Sequence, residues 1–296
     1  MTSFSIGISN RIDHGRISIL KNIKEVAEEL NIPFFVVGAF ARDLIFEHIH
    51  RIPAPRTTLD IDIGVELASW EEFELLTSEL LNRGHFTSRS LPHRFENESL
   101  GIIVDIVPYG EISGEAKQIS WPPDHATIMS MVGFEEAYRS ALKVIIDSEP
   151  PLEILVPSIP ALALLKIISW DDAYPRRQRD AQDLLFILEN YDATGIEATL
   201  YDSHVALLTE EGFDPRLAAV RLLGRDMALL SGPETIQAAE EILTREISPG
   251  NGLRMLSDMV KGTMHQGTKF KTAQQLLGKL LQGIQDNRDG ISGPFV

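Results

Sequence analysis

From Thr58 to Val65 the chain alternates with a period of two. Leu59, Ile61, Ile63 and Val65 fall on one face, and Asp60, Asp62 and Gly64 on the other. That period belongs to a strand with one buried face and is incompatible with a helix. Aspartate is depleted in strands, so two on one face of the same strand require a reason. A second segment, Gly101–Pro108 (GIIVDIVP), is apolar on both faces and carries one carboxylate, Asp105. Such a run reads as a strand covered on both sides. Placed beside Asp60 and Asp62, Asp105 would complete a carboxylate triad on a sheet.

The remaining elements frame these strands. Ile17–Leu30 has apolar residues at helical spacing, Ile32–Val37 reads as a short buried strand ending at Gly38, and Ala39–His48 as a helix. His50–Thr58 holds prolines and arginines and reads as a loop. Ser69-Trp70-Glu71-Glu72 is a capping-box pattern opening a helix over Trp70–Asn82, which Gly84 ends. Phe86–Arg89 and His93–Glu96 are expected to be short strands, Trp121-Pro122-Pro123-Asp124 a break, and Lys143–Val156 two more strands. Ser158 then caps a helix with Pro160 in its first turn, running to about Trp170, and Arg176–Tyr191 is the next helix. From Ser203 onward only helices and loops are expected, with turns at Gly212–Pro215, Gly232-Pro233 and Pro249–Gly252. The fold class expected is α+β: an α/β domain over residues 1–157 and a helical domain over 158–296.

At 296 residues, with 44% hydrophobic and 24% charged residues, the chain is ordinary for a globular protein. There are no cysteines, which excludes disulfides, thiolate metal sites and cysteine nucleophiles. MTSFSIGISNRIDHG has no long apolar stretch, so no signal peptide is expected. Runs such as Ile159–Ile168 fall far short of the ~20 residues of a membrane span. A cytoplasmic location without membrane contact is the expectation. The net charge of −16 argues against broad nonspecific binding to nucleic acid. Any phosphate site must therefore be made locally positive by arginine, lysine, helix N-termini or a cation.

Asp60 and Asp62 point the same way, and burying two adjacent carboxylates is costly unless they share a cation. Mg²⁺ prefers such oxygen ligands and keeps positions open for phosphate. A D-x-D pair alone is equally the wet face of an edge strand. Asp105 strengthens the metal reading, as a third ligand or as the acceptor of a hydroxyl proton. The Gly38-Ala39 turn ends a strand before a helix, a geometry that presents N–H groups to an anion. Arg42 and Asp43 form an ion pair at the helix start, or Arg42 meets a phosphate or one of the acidic residues. Lys166, in the apolar helix Ala161–Ile168, is either a surface lysine or one aimed into a cleft, where it would neutralise phosphate. Arg176, Arg177 and Arg179 lie beside Asp180 and Asp183, which share a helix face, and Arg176 is placed to pair with Asp180 at i, i+4. These arginines form either a salt-bridged surface or a basic patch for phosphate or RNA. Arg83, His85, Arg89, His93 and Arg94 make a second, looser patch.

Phe34–Leu44 (FFVVGAFARDL), Ala54–Val65 (APRTTLDIDIGV), Val104–Gly110 (VDIVPYG) and Pro160–Leu188, in this order, resemble the nucleotidyltransferase superfamily of the DNA polymerase β type. More narrowly, the chain is similar to the AbiEii/AbiGii-type nucleotidyltransferases, the toxins of type IV toxin–antitoxin systems. The resemblance implies a polymerase β-like domain, with a short mixed sheet flanked by helices, followed by a helical domain. It implies Mg²⁺ or Mn²⁺ held by Asp60, Asp62 and Asp105, an NTP donor bound at Gly38, Ala39, Arg42 and Lys166, and catalytic roles for Lys166 and for Asp180 or Asp183. The activity implied is transfer of an NMP to a hydroxyl, in a toxin-like or phage-defence role, with the tRNA acceptor end as a candidate acceptor and a cognate antitoxin as a candidate partner. Two alternatives stand beside it: a non-catalytic nucleotide-binding module on the same fold, and transfer to a small molecule such as an aminoglycoside. Gly38-Ala39 departs from the superfamily's usual Gly-Ser or Gly-Gly turn, so a hydroxyl contact to the triphosphate is lost. The Gly-x-x-x-Arg-Asp spacing at Gly38, Arg42 and Asp43 resembles tRNA-terminal nucleotidyltransferases, but the rest of the chain does not.

Overall fold

A computed structural model describes residues 5–9, 11–248, 250, 253–264 and 266–286. Two compact units divide between Ser158 and Ile159. In chain order the first holds β1 (Ser5–Gly7), α1 (His14–Leu30), β2 (Phe34–Val37), α2 (Gly38–Asp43), β3 (Asp60–Glu66), α3 (Trp70–Asn82), β4 (Thr87–Ser88), β5 (Arg94–Asn97), β6 (Ile102–Tyr109), β7 (Gln118–Ser120), β8 (Ile128–Ser130), α4 (Phe134–Arg139), β9 (Leu142–Ser148) and β10 (Pro151–Val156).

The central sheet is mixed, in the order β2-β3-β6-β5-β4. Strand β3 runs antiparallel to β2 and parallel to β6, and β6 is antiparallel to β5. The period-two pattern decides which face is buried: Ile61, Ile63 and Val65 are at most 1% exposed. Leu59, expected on that same face, is 74% exposed, because the strand starts only at Asp60. On the opposite face Gly64 lacks a Cβ, and the Phe35 ring takes that space; a Cβ there would meet the ring Cδ1 at 3.1 Å. Phe35 packs edge-on against Tyr109, Phe134 and Tyr138, with centroids 5.5, 6.2 and 5.7 Å away. This aromatic layer covers the Gly64 end of the face, while Asp60 and Asp62 stay partly exposed at the other.

Helix α1 begins earlier than the apolar spacing suggests, because the Asp13 carboxylate accepts the Arg16 N–H as an N-cap, and Asn31 in the left-handed region ends it. The Ser69 cap forms as expected, its hydroxyl accepting the Glu72 N–H, whereas the Glu72 carboxylate reaches past the cap to the N–H of Ala68 at 2.7 Å. The helix expected over Ala39–His48 is α-helical only through Asp43 and continues as a π-helix over Leu44–Ile49. The Trp121-Pro122-Pro123-Asp124 break lies in the turn of the β7–β8 hairpin, which the sequence pattern did not reveal. A separate sheet pairs β9 in parallel with β1 and antiparallel with β10.

Every described regular element of the second unit is helical: α5 (Ile159–Asp172), α6 (Gln178–Asn190), α7 (Ile196–Ser203), α8 (Val205–Glu210), α9 (Pro215–Leu230), α10 (Pro233–Ile247), α11 (Arg254–Met259) and α12 (Gln266–Asp286), with a 3₁₀ turn at Asp192–Thr194. The turn expected at Pro249–Gly252 lies mostly outside the described residues. Helices α9 and α12 cross where two glycines meet. A Cβ on Gly283 would overlap the Arg221 carbonyl oxygen and stand 2.8 Å from its carbon, and one on Gly224 would stand 2.9 Å from the Ile284 nitrogen. Arg221 locks the same pair, its Nε and Nη2 donating to the Asp286 carboxylate at 2.7 and 2.9 Å. Gly283→Ala is therefore expected to destabilise the protein by about 2 kcal/mol, despite alanine's better helix propensity, because backbone cannot yield as a side chain can. Urea denaturation checks this, and an unchanged midpoint would refute it.

Candidate active site

Asp60 and Asp62 lie on one face of β3, as residues two apart on a strand must. The parallel register sets Asp62 directly beside Asp105 of β6, so three carboxylates share one patch of the sheet. Asp105 is 7% exposed. On the far side of Asp62, β2 ends opposite it at Val37 and turns sharply into α2 through Gly38, whose φ is +71°. A Cβ on Gly38 would overlap Asp62 Oδ2 and come within 2.7 Å of its Cγ. Glycine suits both the conformation and the space, since any Cβ would force Asp62 to move. The turn expected to face an anion is thus also the backing of the central carboxylate.

Arg94 of β5, missing from the sequence-derived site, enters it from the other side. It is the cross-strand partner of Asp105. Its Nε donates to Asp105 Oδ1 at 2.8 Å and its Nη2 to Oδ2 at 2.6 Å. The hydrogen bonds to Asp105 hold the guanidinium's pKa above its usual value, with Asp60 and Asp62 adding to the effect and burial opposing it. The looser basic patch does not persist as one. Arg94 is committed to Asp105, Arg89 pairs with Glu96, and Arg83 pairs with Glu29.

Arg42 is 0% exposed. Its Nε donates to Asp43 Oδ1 at 2.9 Å, and its Nη2 lies 3.4 Å from Thr58 Oγ1. The pairing with Asp43 forms, and Arg42 also reaches Thr58 in the segment leading into β3. A cavity of about 420 Å³ opens beside that segment, lined among others by Arg11, Arg16, Phe40, His48 and Arg56. Arg16 donates to the Thr58 carbonyl and lies over the Phe40 ring at 5.3 Å. Asp13, Asp43 and Glu47 line the same cavity, so its three arginines are matched by three carboxylates, and Arg16 pairs with Asp13.

In the second unit, Lys166 of α5 is 5% exposed. Its ammonium donates to Asp180 Oδ1 at 2.7 Å and pairs with Asp183 Oδ2 at 2.8 Å. Burial favours the neutral amine, yet the two aspartates outweigh it and the lysine pKa is raised. Asp180 and Asp183 share a face of α6, as their spacing predicts. The Arg176–Asp180 pair expected at i, i+4 does not form, because α6 starts at Gln178. Of the three arginines it is Arg177 that approaches Asp180, at 3.7 Å. Arg176, Arg177 and Arg179 are exposed.

A family model described as "Nucleotidyl transferase AbiEii toxin, Type IV TA system" matches residues 26–276. Among solved structures the chain is similar to the antibiotic-resistance factor ANT(2'')-Ia in solution, at 14% identity and a TM-score of 0.34, covering 68% of this chain and 98% of that one. It is similar to an apo CCA-adding enzyme at 14% identity and a TM-score of 0.32, covering 97% and 86%. The Thermotoga maritima CCA-adding enzyme complexed with tRNA gives 13% identity and a TM-score of 0.27, with 97% and 86% covered. No curated protein matches. With a family model spanning the mixed sheet, its carboxylates and most of the helical unit, the chain belongs to the AbiEii nucleotidyl transferase toxin family of type IV toxin–antitoxin systems.

Proposed function

We propose that this protein transfers an NMP from an NTP to a hydroxyl acceptor, using the carboxylate face of β3 and β6. The observation that carries the reading is the register of Asp62 beside Asp105, with Asp60 on the same face and Gly38 packed directly against Asp62. Two partly exposed carboxylates on adjacent same-face positions repel each other and offer hard oxygen donors, the chemistry that suits Mg²⁺ or Mn²⁺. Asp60 and Asp62 would hold the ion, which when bound would neutralise and orient the phosphates. Asp105 joins them as ligand or proton acceptor when its pair with Arg94 opens. The Gly38-Ala39 turn offers backbone N–H groups to the triphosphate, and in a chain of net charge −16 the bound ion would supply the local positive charge the phosphates need.

Lys166 is committed to Asp180 and Asp183, so a contact with departing pyrophosphate requires an exchange of partners. The family supports a cognate antitoxin as partner and a cytoplasmic toxin role. The tRNA acceptor end and small molecules such as aminoglycosides are the two acceptor classes to separate. Among the described residues no helix is long and apolar enough to cross a membrane. Incubation with Mg²⁺, each α-labelled NTP and total tRNA tests the reading. Label on RNA identifies the tRNA acceptor and its donor. Label on an added aminoglycoside identifies a small-molecule acceptor. NTP binding with no label on any acceptor and no pyrophosphate released would leave only a nucleotide-binding module.

A further inference from the structure

Asp60, Asp62 and Asp105 share a sheet face, yet among the described residues no group of three or more His, Asp or Glu side chains converges as a metal site. The guanidinium of Arg94 lies against the third member. Both oxygens of Asp105 accept hydrogen bonds from it, in the fork geometry that matches a carboxylate. Arg94 reaches Asp105 because the antiparallel register of β5 and β6 sets the two residues opposite each other. The Asp105 side chain is 10% exposed and that of Arg94 33%, so the carboxylate is fixed while the arginine keeps an edge to solvent. A cation in this position repels a second cation brought to the same patch.

We propose that Arg94 is a positioning residue that occupies the third carboxylate as an internal cation, so that the nucleotide-free protein binds a divalent ion weakly until Arg94 releases Asp105. This rests on the assignment of Asp60 and Asp62 as metal ligands. If Asp105 is free of Arg94 in fewer than about one molecule in ten, the apparent metal affinity falls by about tenfold or more. The solvent-exposed edge of Arg94 gives the released guanidinium access to an incoming anion, so metal and phosphate would enter together.

Titration with Mn²⁺ alone, followed by electron paramagnetic resonance on the full chain without nucleotide, tests this. Arg94→Gln and Arg94→Met are expected to bind Mn²⁺ at least about tenfold more tightly than the parent. Arg94→Lys, which keeps the charge, is expected to stay close to the parent. Thermal melts identify which variants are folded, and either neutral variant suffices. Unchanged Mn²⁺ affinity in a folded neutral variant, with binding still weakened by Asp62→Asn, would overturn the role of Arg94 alone. Mn²⁺ binding indifferent to Asp62→Asn in every background would overturn the metal assignment itself, and this inference with it.

Discussion

Gly38→Ala is expected to lower the rate of nucleotidyl transfer by roughly a hundredfold or more while leaving the protein folded. Two effects act on this residue. With φ at +71°, any L side chain costs about 1–2 kcal/mol of backbone strain. The added Cβ would also overlap Asp62 Oδ2, so the carboxylate must turn or β3 must shift. A displacement of about 1 Å at a reacting centre is worth roughly two decades of rate. Gly84 is the control that separates the effects: its φ is +73°, and a Cβ there meets nothing within 4 Å. Gly84→Ala bears the strain without the contact and is expected to keep its activity. The check is the ratio of the two variants' pyrophosphate-release rates, each set beside its thermal midpoint. Equal activities would mean that Gly38 does not support Asp62.

Lys166→Met is expected to destabilise the helical unit by about 3–5 kcal/mol, the range for removing one partner of a buried ion pair. Asp180 and Asp183 would be left facing each other, with side chains 10% and 0% exposed and without the ammonium between them. For a domain of this size that corresponds to a fall in Tm on the order of 10 °C. Differential scanning calorimetry reads it. A lysine aimed only at phosphate in an open cleft would leave Tm unchanged and lower activity alone. The structure predicts that stability falls, and any loss of activity must be measured below the new midpoint.

The parts legible in the sequence were those governed by local period and local caps. The shared face of Asp60 and Asp62 is a backbone property, since side chains two apart on a strand point the same way. Ile61 lies between them, and its burial on the opposite face follows from the same rule. The Ser69 cap, the Gly84 stop and the shared face of Asp180 and Asp183 are equally local. What pairs across strands or across helices was not legible. Arg94 read as one member of a loose basic patch, because only the β5–β6 register reveals that it faces Asp105. Arg42 carried two readings in sequence, and its pair with Asp43 and its full burial became visible only in the fold. The glycine contact between α9 and α12 joins residues far apart in sequence, and neither glycine stands out from the chain alone. Leu59 shows the limit of the period itself: alternation fixes a face but not where a strand begins.

The most direct test of the central claim is pyrophosphate release from NTPs in the presence of Mg²⁺ and total tRNA, with the parent chain compared to Asp60→Ala. Loss of the parent's release in the variant, with the far-ultraviolet circular dichroism and Tm retained, is the predicted result. Full release by a folded Asp60→Ala protein would contradict the placement of the chemistry on the carboxylate face of β3.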